Sequence, residues 1–259
     1  MKRFRIFILA LYLISSLAAC HSSIDEGNAT ITLAAAASLE QVLEGEIIPL
    51  FESLHEGITV SGVYGGSFHL QTQIEQGLPA DLFFPADEIP MLALLEQGLI
   101  QDDTMVPLLT NRLALITHQD SMTAVTGFAD ILYAETIAIG DPQHVPAGRY
   151  AQEVFESLGL WDSLYARASL GMSVSAVLNW VASLSAEVGI VYQTDALQTD
   201  QVRILALYEG VRPIVYPAAV LSGAENEEAA HLFLAFLQSA EVREIFAAHG
   251  FGLYSCVNL

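Results

Sequence analysis

From Thr30 to His249, short apolar runs alternate with segments of helical period, and this alternation constrains the fold more than any other feature of the chain. Apolar runs of four to eight residues read as buried strands, whereas apolar residues recurring every three or four positions mark one face of a helix. Strands are predicted at Thr30–Ala35, Ile58–Val63, Asp81–Phe84, Arg112–Thr117, Thr136–Ile139, Val188–Val191, Val202–Leu207 and Ile214–Val220. Helices are predicted at Leu39–Leu54, Phe68–Gln76, Glu88–Gln97, Ala147–Leu158, Val174–Leu184, Glu227–Leu237 and Ala240–His249. Gly77 and Gly98 stand where helices stop, and Asn226 stands where one starts. Such alternation argues for α/β architecture with largely parallel sheets. The elements outnumber the needs of one small sheet, so two lobes are expected, 29–110 plus 214–259 and 111–213. The chain would cross between them near Thr110 and at Arg212–Pro213, which implies a hinge.

The first 19 residues stand apart from this pattern. Lys2, Arg3 and Arg5 precede an apolar run, Ile6–Leu17, too short for a comfortable membrane span. Leu17-Ala18-Ala19-Cys20 resembles a bacterial lipoprotein processing site, with Cys20 as the lipid-bearing residue and 20–28 as a polar tether. The chain is then extracytoplasmic, in the periplasm or at the cell surface, and meets the membrane through Cys20. The formal charge of the whole chain is −21. No lysine follows the leader, and the only cations beyond it are Arg112, Arg149, Arg167, Arg203, Arg212 and Arg243. A surface this acidic argues against nucleic acid as a partner. With Cys20 lipidated, Cys256 is left alone, so neither a disulfide framework nor a cysteine metal site can be built.

Several strand-to-helix junctions carry small or hydroxylated residues. Ala34-Ala35-Ala36-Ala37-Ser38 leads from a strand to a helix, with Ser38 read as N-cap and Gln41 completing a capping box. In Tyr64-Gly65-Gly66-Ser67, Ser67 is read as the cap of the next helix. Gly140–Tyr150 runs from a strand through Val145-Pro146-Ala147-Gly148, where Pro146 fits the first turn of a helix and leaves the N–H groups behind it unpaired. Ser173 is placed to cap a helix beginning at Val174, and Tyr192 ends a buried strand with a hydroxyl that needs a partner. Each junction alone is an ordinary cap or turn. Together, at the carboxyl ends of strands, they suggest a cleft furnished with N–H and O–H donors. No positioned arginine, carboxylate or histidine pair is expected in it.

Ala35-Ala36-Ala37-Ser38-Leu39, Gly77-Leu78-Pro79-Ala80-Asp81-Leu82-Phe83, Gly140–Gly148, Gly189-Ile190-Val191-Tyr192 and the ending Glu244–Gly252 resemble, in order, the periplasmic molybdate-binding proteins of bacterial ABC importers. The stretch Asp141-Pro142-Gln143-His144-Val145-Pro146-Ala147-Gly148 is the most specific of these segments. The resemblance implies the two-lobed, type II periplasmic binding-protein fold. It implies molybdate or tungstate held between the lobes by Ser38 and Ser67 from one side and Ala147, Val174 and Tyr192 from the other. It further implies a monomer without cofactor or direct metal-cation ligand, no catalysis, and a membrane permease as partner. Gly171-Met172-Ser173 departs from the acidic residues often found before the Val174 position. Three other readings stand beside this one: a binding protein for another oxyanion such as sulfate, a secreted serine hydrolase, and a lipid-anchored sensor or adhesin that uses the same fold without transport. Neither Ser38 nor Ser67 lies in Gly-x-Ser-x-Gly, and no His–Asp partners are evident, which counts against the hydrolase.

Overall fold

The computed structural model describes residues 29–208 and 213–255. The expected signal peptide, Cys20, the tether, Arg212, Cys256 and the extreme C-terminus lie outside them.

The chain begins with β1 (Ala29–Ala36), a 3-10 turn at Ala37–Leu39, α1 (Glu40–Val42), a π-helical stretch at Leu43–Ile47 and α2 (Ile48–Leu54). The helical period predicts one continuous helix over 39–54. The widened turn lies just ahead of Pro49, which has no N–H to return to the carbonyl four residues before it. There follow β2 (Ile58–Gly65), α3 (Ser67–Glu75), β3 (Leu82–Phe84), α4 (Glu88–Glu96) and β4 (Val106–Asn111). Next come β5 (Leu113–His118), β6 (Ile137–Gly140), α5 (Pro146–Ser157), α6 (Trp161–Tyr165), β7 (Ala168–Gly171) and α7 (Val174–Ala182). The chain continues with β8 (Val188–Tyr192), α8 (Gln193–Leu197), β9 (Val202–Tyr208) and β10 (Ile214–Val220). It closes with α9 (Glu227–Leu237), α10 (Ala240–Ala248) and β11 (Gly252–Leu253). Gly77 and Gly98 adopt φ of 94° and 71° just past α3 and α4, the left-handed geometry that ends a helix.

The strands form a six-stranded sheet, β11-β4-β10-β3-β1-β2, and a five-stranded sheet, β7-β6-β8-β5-β9. Both are mixed, not largely parallel as the alternation predicts. In the first, β1 pairs in parallel with β2 and β3, while β10 runs antiparallel to β3 and β4. In the second, β6 is parallel to β7 and β8, while β5 is antiparallel to β8 and β9. The antiparallel pairs belong to the strands that leave or return: β4 passes into β5 through Arg112, and β10 re-enters the first sheet from the second. No strand is predicted at β4, where Pro107 argues against a central position. The ladder tolerates it by setting Pro107 opposite Pro217 where the register shifts, so two residues without N–H groups face each other.

Helices cover both sheets. Leu33, Leu82 and Phe84 are sealed in one core, and Val177 and Val181 of α7 pack with Ala114, Ala138 and Val191 in another. Each large apolar side chain so buried stabilises the fold by about 1.5–3 kcal/mol. The carboxyl ends of β1, β2 and β7 lead within two residues, and that of β6 through a five-residue loop, into a helix or 3-10 start, and this brings those starts together.

Candidate functional site

A small cavity lies where the two sheets' connecting turns meet. Its walls are Ala36, Ala37, Ser38, Gly65, Gly66, Ser67 and Ala86 from the first lobe, and Val145, Pro146, Val174 and Tyr192 from the second. Four of the five residues expected at a site, Ser38, Ser67, Val174 and Tyr192, therefore line one cavity. Ala147 does not line it directly; it is fully buried one position behind Pro146.

The two serines are not the caps that their positions predict. The cap position before the 3-10 turn is Ala36, and Ser38 sits inside the turn with its Oγ 3.2 Å from the Tyr216 hydroxyl. Gly66, not Ser67, is the N-cap of α3, and Ser67 Oγ accepts the Ala86 N–H at 3.0 Å. That bond occupies a lone pair of Ser67 and leaves its own proton free to point into the cavity. Among the described residues, the hydrogen-bond partners of the two serine hydroxyls are Tyr216 and the Ala86 N–H, not a histidine. Ser173 does cap α7 as expected, accepting the Ala176 N–H at 3.2 Å. Asn226 stands at the cap position of α9, but its amide donates instead to the Thr30 carbonyl.

Main-chain N–H groups gather at the helix starts around the cavity. Ser67 and Val174 are the first residues of α3 and α7, and Ala147 is the second of α5; first-turn N–H groups have no acceptor within their helix. The α5 start is held by its loop. Asp141 Oδ1 accepts the Gln143 N–H at 2.9 Å, the Asp141 carbonyl accepts Val145 N–H at 2.7 Å, and His144 Nδ1 lies 3.1 Å from Asp141 Oδ2. Gly148 presses this turn onto β6: a Cβ there would lie 2.0 Å from the Gly140 carbonyl oxygen.

Tyr192 ends β8 with its ring fully enclosed, edge-on to Tyr216 at 5.7 Å between centroids. Its hydroxyl is buried without a hydrogen-bond partner in the protein. Burial, reinforced by the neighbouring Tyr216, Tyr150 and carboxylates, pushes this phenol well above its ordinary pKa, so the proton stays and the group remains a donor.

Charged groups also meet between the lobes, outside the residues that line the cavity. Arg149 of α5 forms an ion pair across the lobes with the buried Asp87, whose other oxygen caps α4 by accepting Ile89 N–H at 2.9 Å. The same guanidinium lies over the Tyr150 ring at 4.8 Å and 5.9 Å from the Phe68 ring of the opposite lobe. His69 and His144 face each other from the two lobes, their rings 6.4 Å apart. Among the described residues no three His, Cys, Asp or Glu side chains cluster as a cation site.

Asp195, which no sequence motif marks, accepts the Tyr192 N–H at 2.9 Å. Burial raises its carboxyl to about 7, partly opposed by that bond. In the unfolded chain an aspartate titrates near 3.9, so between about pH 4 and 7 the folded state holds the extra proton. Stability therefore falls as pH rises through that window and levels off above it. Asp195→Asn should gain about 2–3 kcal/mol relative to the native chain between pH 5 and pH 8. Urea unfolding at the two pH values checks this; a stability difference independent of pH would rule it out.

Known proteins share this architecture. The sequence model of the family described as bacterial extracellular solute-binding protein matches residues 31–252. The chain is 37% identical over 256 residues to YvgL of Bacillus subtilis (strain 168), named as a substrate-binding lipoprotein of an ABC transporter, covering 96% of this chain and 98% of that one. It is 34% identical over 235 residues to the molybdate-binding protein ModA of Escherichia coli (strain K12), covering 88% and 90% respectively. The solved periplasmic molybdate-binding protein of Azotobacter vinelandii superposes with a TM-score of 0.74 at 25% identity, over 87% of this chain and 100% of that one.

Proposed function

The chain belongs to the bacterial extracellular solute-binding proteins, and from that premise we propose that it captures molybdate, and tungstate as well, for delivery to the membrane permease of an ABC importer. The observation that carries this reading is the Tyr192 hydroxyl, a buried donor without a protein acceptor, at a cavity whose other polar groups also donate. Molybdate and tungstate are fully deprotonated at neutral pH and can only accept hydrogen bonds. A phosphate that keeps a proton would bring a donor with no acceptor to meet it.

Ser38 and Ser67 supply hydroxyl and main-chain donors, Ala147 and Val174 supply N–H groups, and Tyr192 supplies its phenol. The first sheet with its helices serves as one binding lobe and the second sheet with its helices as the other, close to the expected division 29–110 plus 214–259 and 111–213, and the ion is enclosed when they close. The working protein is an extracytoplasmic monomer tethered by lipid on Cys20. It performs no chemistry on its cargo and needs no cofactor.

Sulfate also accepts without donating, so size must exclude it, and a calorimetric comparison of the four ions tests the assignment. The mature protein should bind molybdate and tungstate with Kd below about 1 µM, some −8.2 kcal/mol. Sulfate and phosphate should bind at least about 100-fold more weakly, a difference of two factors of ten at about 1.4 kcal/mol each. Equal affinity for sulfate would overturn the molybdate assignment.

A further inference from the structure

We infer that Asn111 and Tyr216 are positioning residues that fix the Ser38 hydroxyl as a donor to the bound oxyanion. The inference rests on the reading of the cleft given above. A serine hydroxyl can donate or accept, and the Ser38–Tyr216 contact at 3.2 Å does not by itself say which way its proton points. The direction is set further back. The Arg112 backbone N–H lies 2.9 Å from Asn111 Oδ1. A main-chain N–H can only donate, so that side of the amide must be the oxygen. The Asn111 NH2 group is thereby turned to Thr194 Oγ1 at 2.9 Å and to the Tyr216 hydroxyl at 3.1 Å.

Tyr216 thus accepts from Asn111 and has one proton left, which it donates to Ser38 Oγ. Ser38 has then accepted from Tyr216, and its own proton is free for the cavity it lines. Ser38, Asn111, Thr194 and Tyr216 are all buried, so no bulk water competes for these protons. Burial first, and then the nearby Asp195, pushes the Tyr216 phenol well above its ordinary pKa, so the chain of donors is not broken by its ionisation. Successive bonds of one polarity strengthen one another. Asn111 ends β4 and Tyr216 lies on β10, the strands that leave and re-enter the first sheet, and Thr194 lies in the second lobe. The orientation of a first-lobe donor is therefore set at the crossing between lobes.

The test is a double-mutant cycle read by molybdate titration calorimetry, with circular dichroism and ligand-free melting confirming the fold. Tyr216→Phe in the native background should weaken molybdate binding about 3–10-fold, and in a Ser38→Ala background by less than about 1.5-fold. Equal losses in the two backgrounds mean that Tyr216 acts only through the fold, and overturn the inference. A native affinity in Ser38→Ala alone overturns instead the reading of the cleft. Should Tyr216→Phe fail to fold, Asn111→Asp provides the same test: a carboxylate accepts from Tyr216, which turns Ser38 back toward the tyrosine. Its loss in affinity should be larger in the native than in the Ser38→Ala background, and equal losses overturn the inference.

Discussion

Gly66→Ala is expected to weaken molybdate binding by at least about 100-fold while the ligand-free protein keeps its secondary structure and melting temperature. Gly66 has φ −67° and ψ 133°, which alanine adopts freely, so the substitution brings no backbone strain. The obstacle is across the cleft. A Cβ at this position would lie 2.4 Å from the His144 carbonyl oxygen and 3.0 Å from that of Met172, both of the opposite lobe. Neither is the end of a flexible side chain that can swing aside. Relief requires the lobes to part by roughly 1 Å, and hydrogen bonds of about 2.7–3.2 Å do not survive that displacement. Losing two bonds to a charged ligand costs about 3–6 kcal/mol, which is the 100-fold and more expected. Titration calorimetry gives the affinity, and small-angle scattering with and without molybdate shows whether closure is lost. A native affinity would show that the lobes need not meet at Gly66 to hold the ion.

Tyr192→Phe should move stability and affinity in opposite directions. Its hydroxyl is enclosed and unpaired in the protein alone, a state that costs about 1–3 kcal/mol. Phenylalanine keeps the ring packed against Tyr216 and removes that cost, so the ligand-free variant should melt no lower than the native chain and up to several degrees higher. Molybdate binding should weaken about 10–100-fold, because a donor to a charged ligand is gone. Thermal unfolding with and without molybdate reads both effects together. A variant that is less stable and binds normally would make Tyr192 an ordinary core residue.

The junctions of the site are legible in the sequence because each is built locally. A strand followed by small residues, a Pro at a helix start or a Ser before a helix can be recognised within a few positions, and Ser173, Pro146 and Gly77 occupy the places that such cues assign. The roles of Ser38 and Ser67 differ from the local reading for the complementary reason. Their partners are Tyr216, 178 residues further on, and Ala86, 19 residues further on, and no local spacing reports them. Arg149 follows directly on the most specific segment of the sequence, yet its pairing with Asp87 joins residues 62 apart in different lobes. Asn111 and Asp195 carry no signal at all, since their functions arise from what surrounds them after folding. The alternation of strands and helices specifies the α/β class but not strand direction, because β10 and β5 owe theirs to the chain's passage between sheets.

The N–H groups of Ala147 and Val174 belong to the main chain, and this has a genetic consequence. A codon change can delete a hydroxyl or an ammonium, but every residue except proline brings the same amide. Single substitutions at these two positions therefore keep the N–H itself, and what they disturb is the packing of two buried side chains. Drift in such a protein should reach its ligand preference through the spacing of the walls, at Ala36, Ala37, Gly66 or Ala86, long before it erodes the capacity to hold an anion.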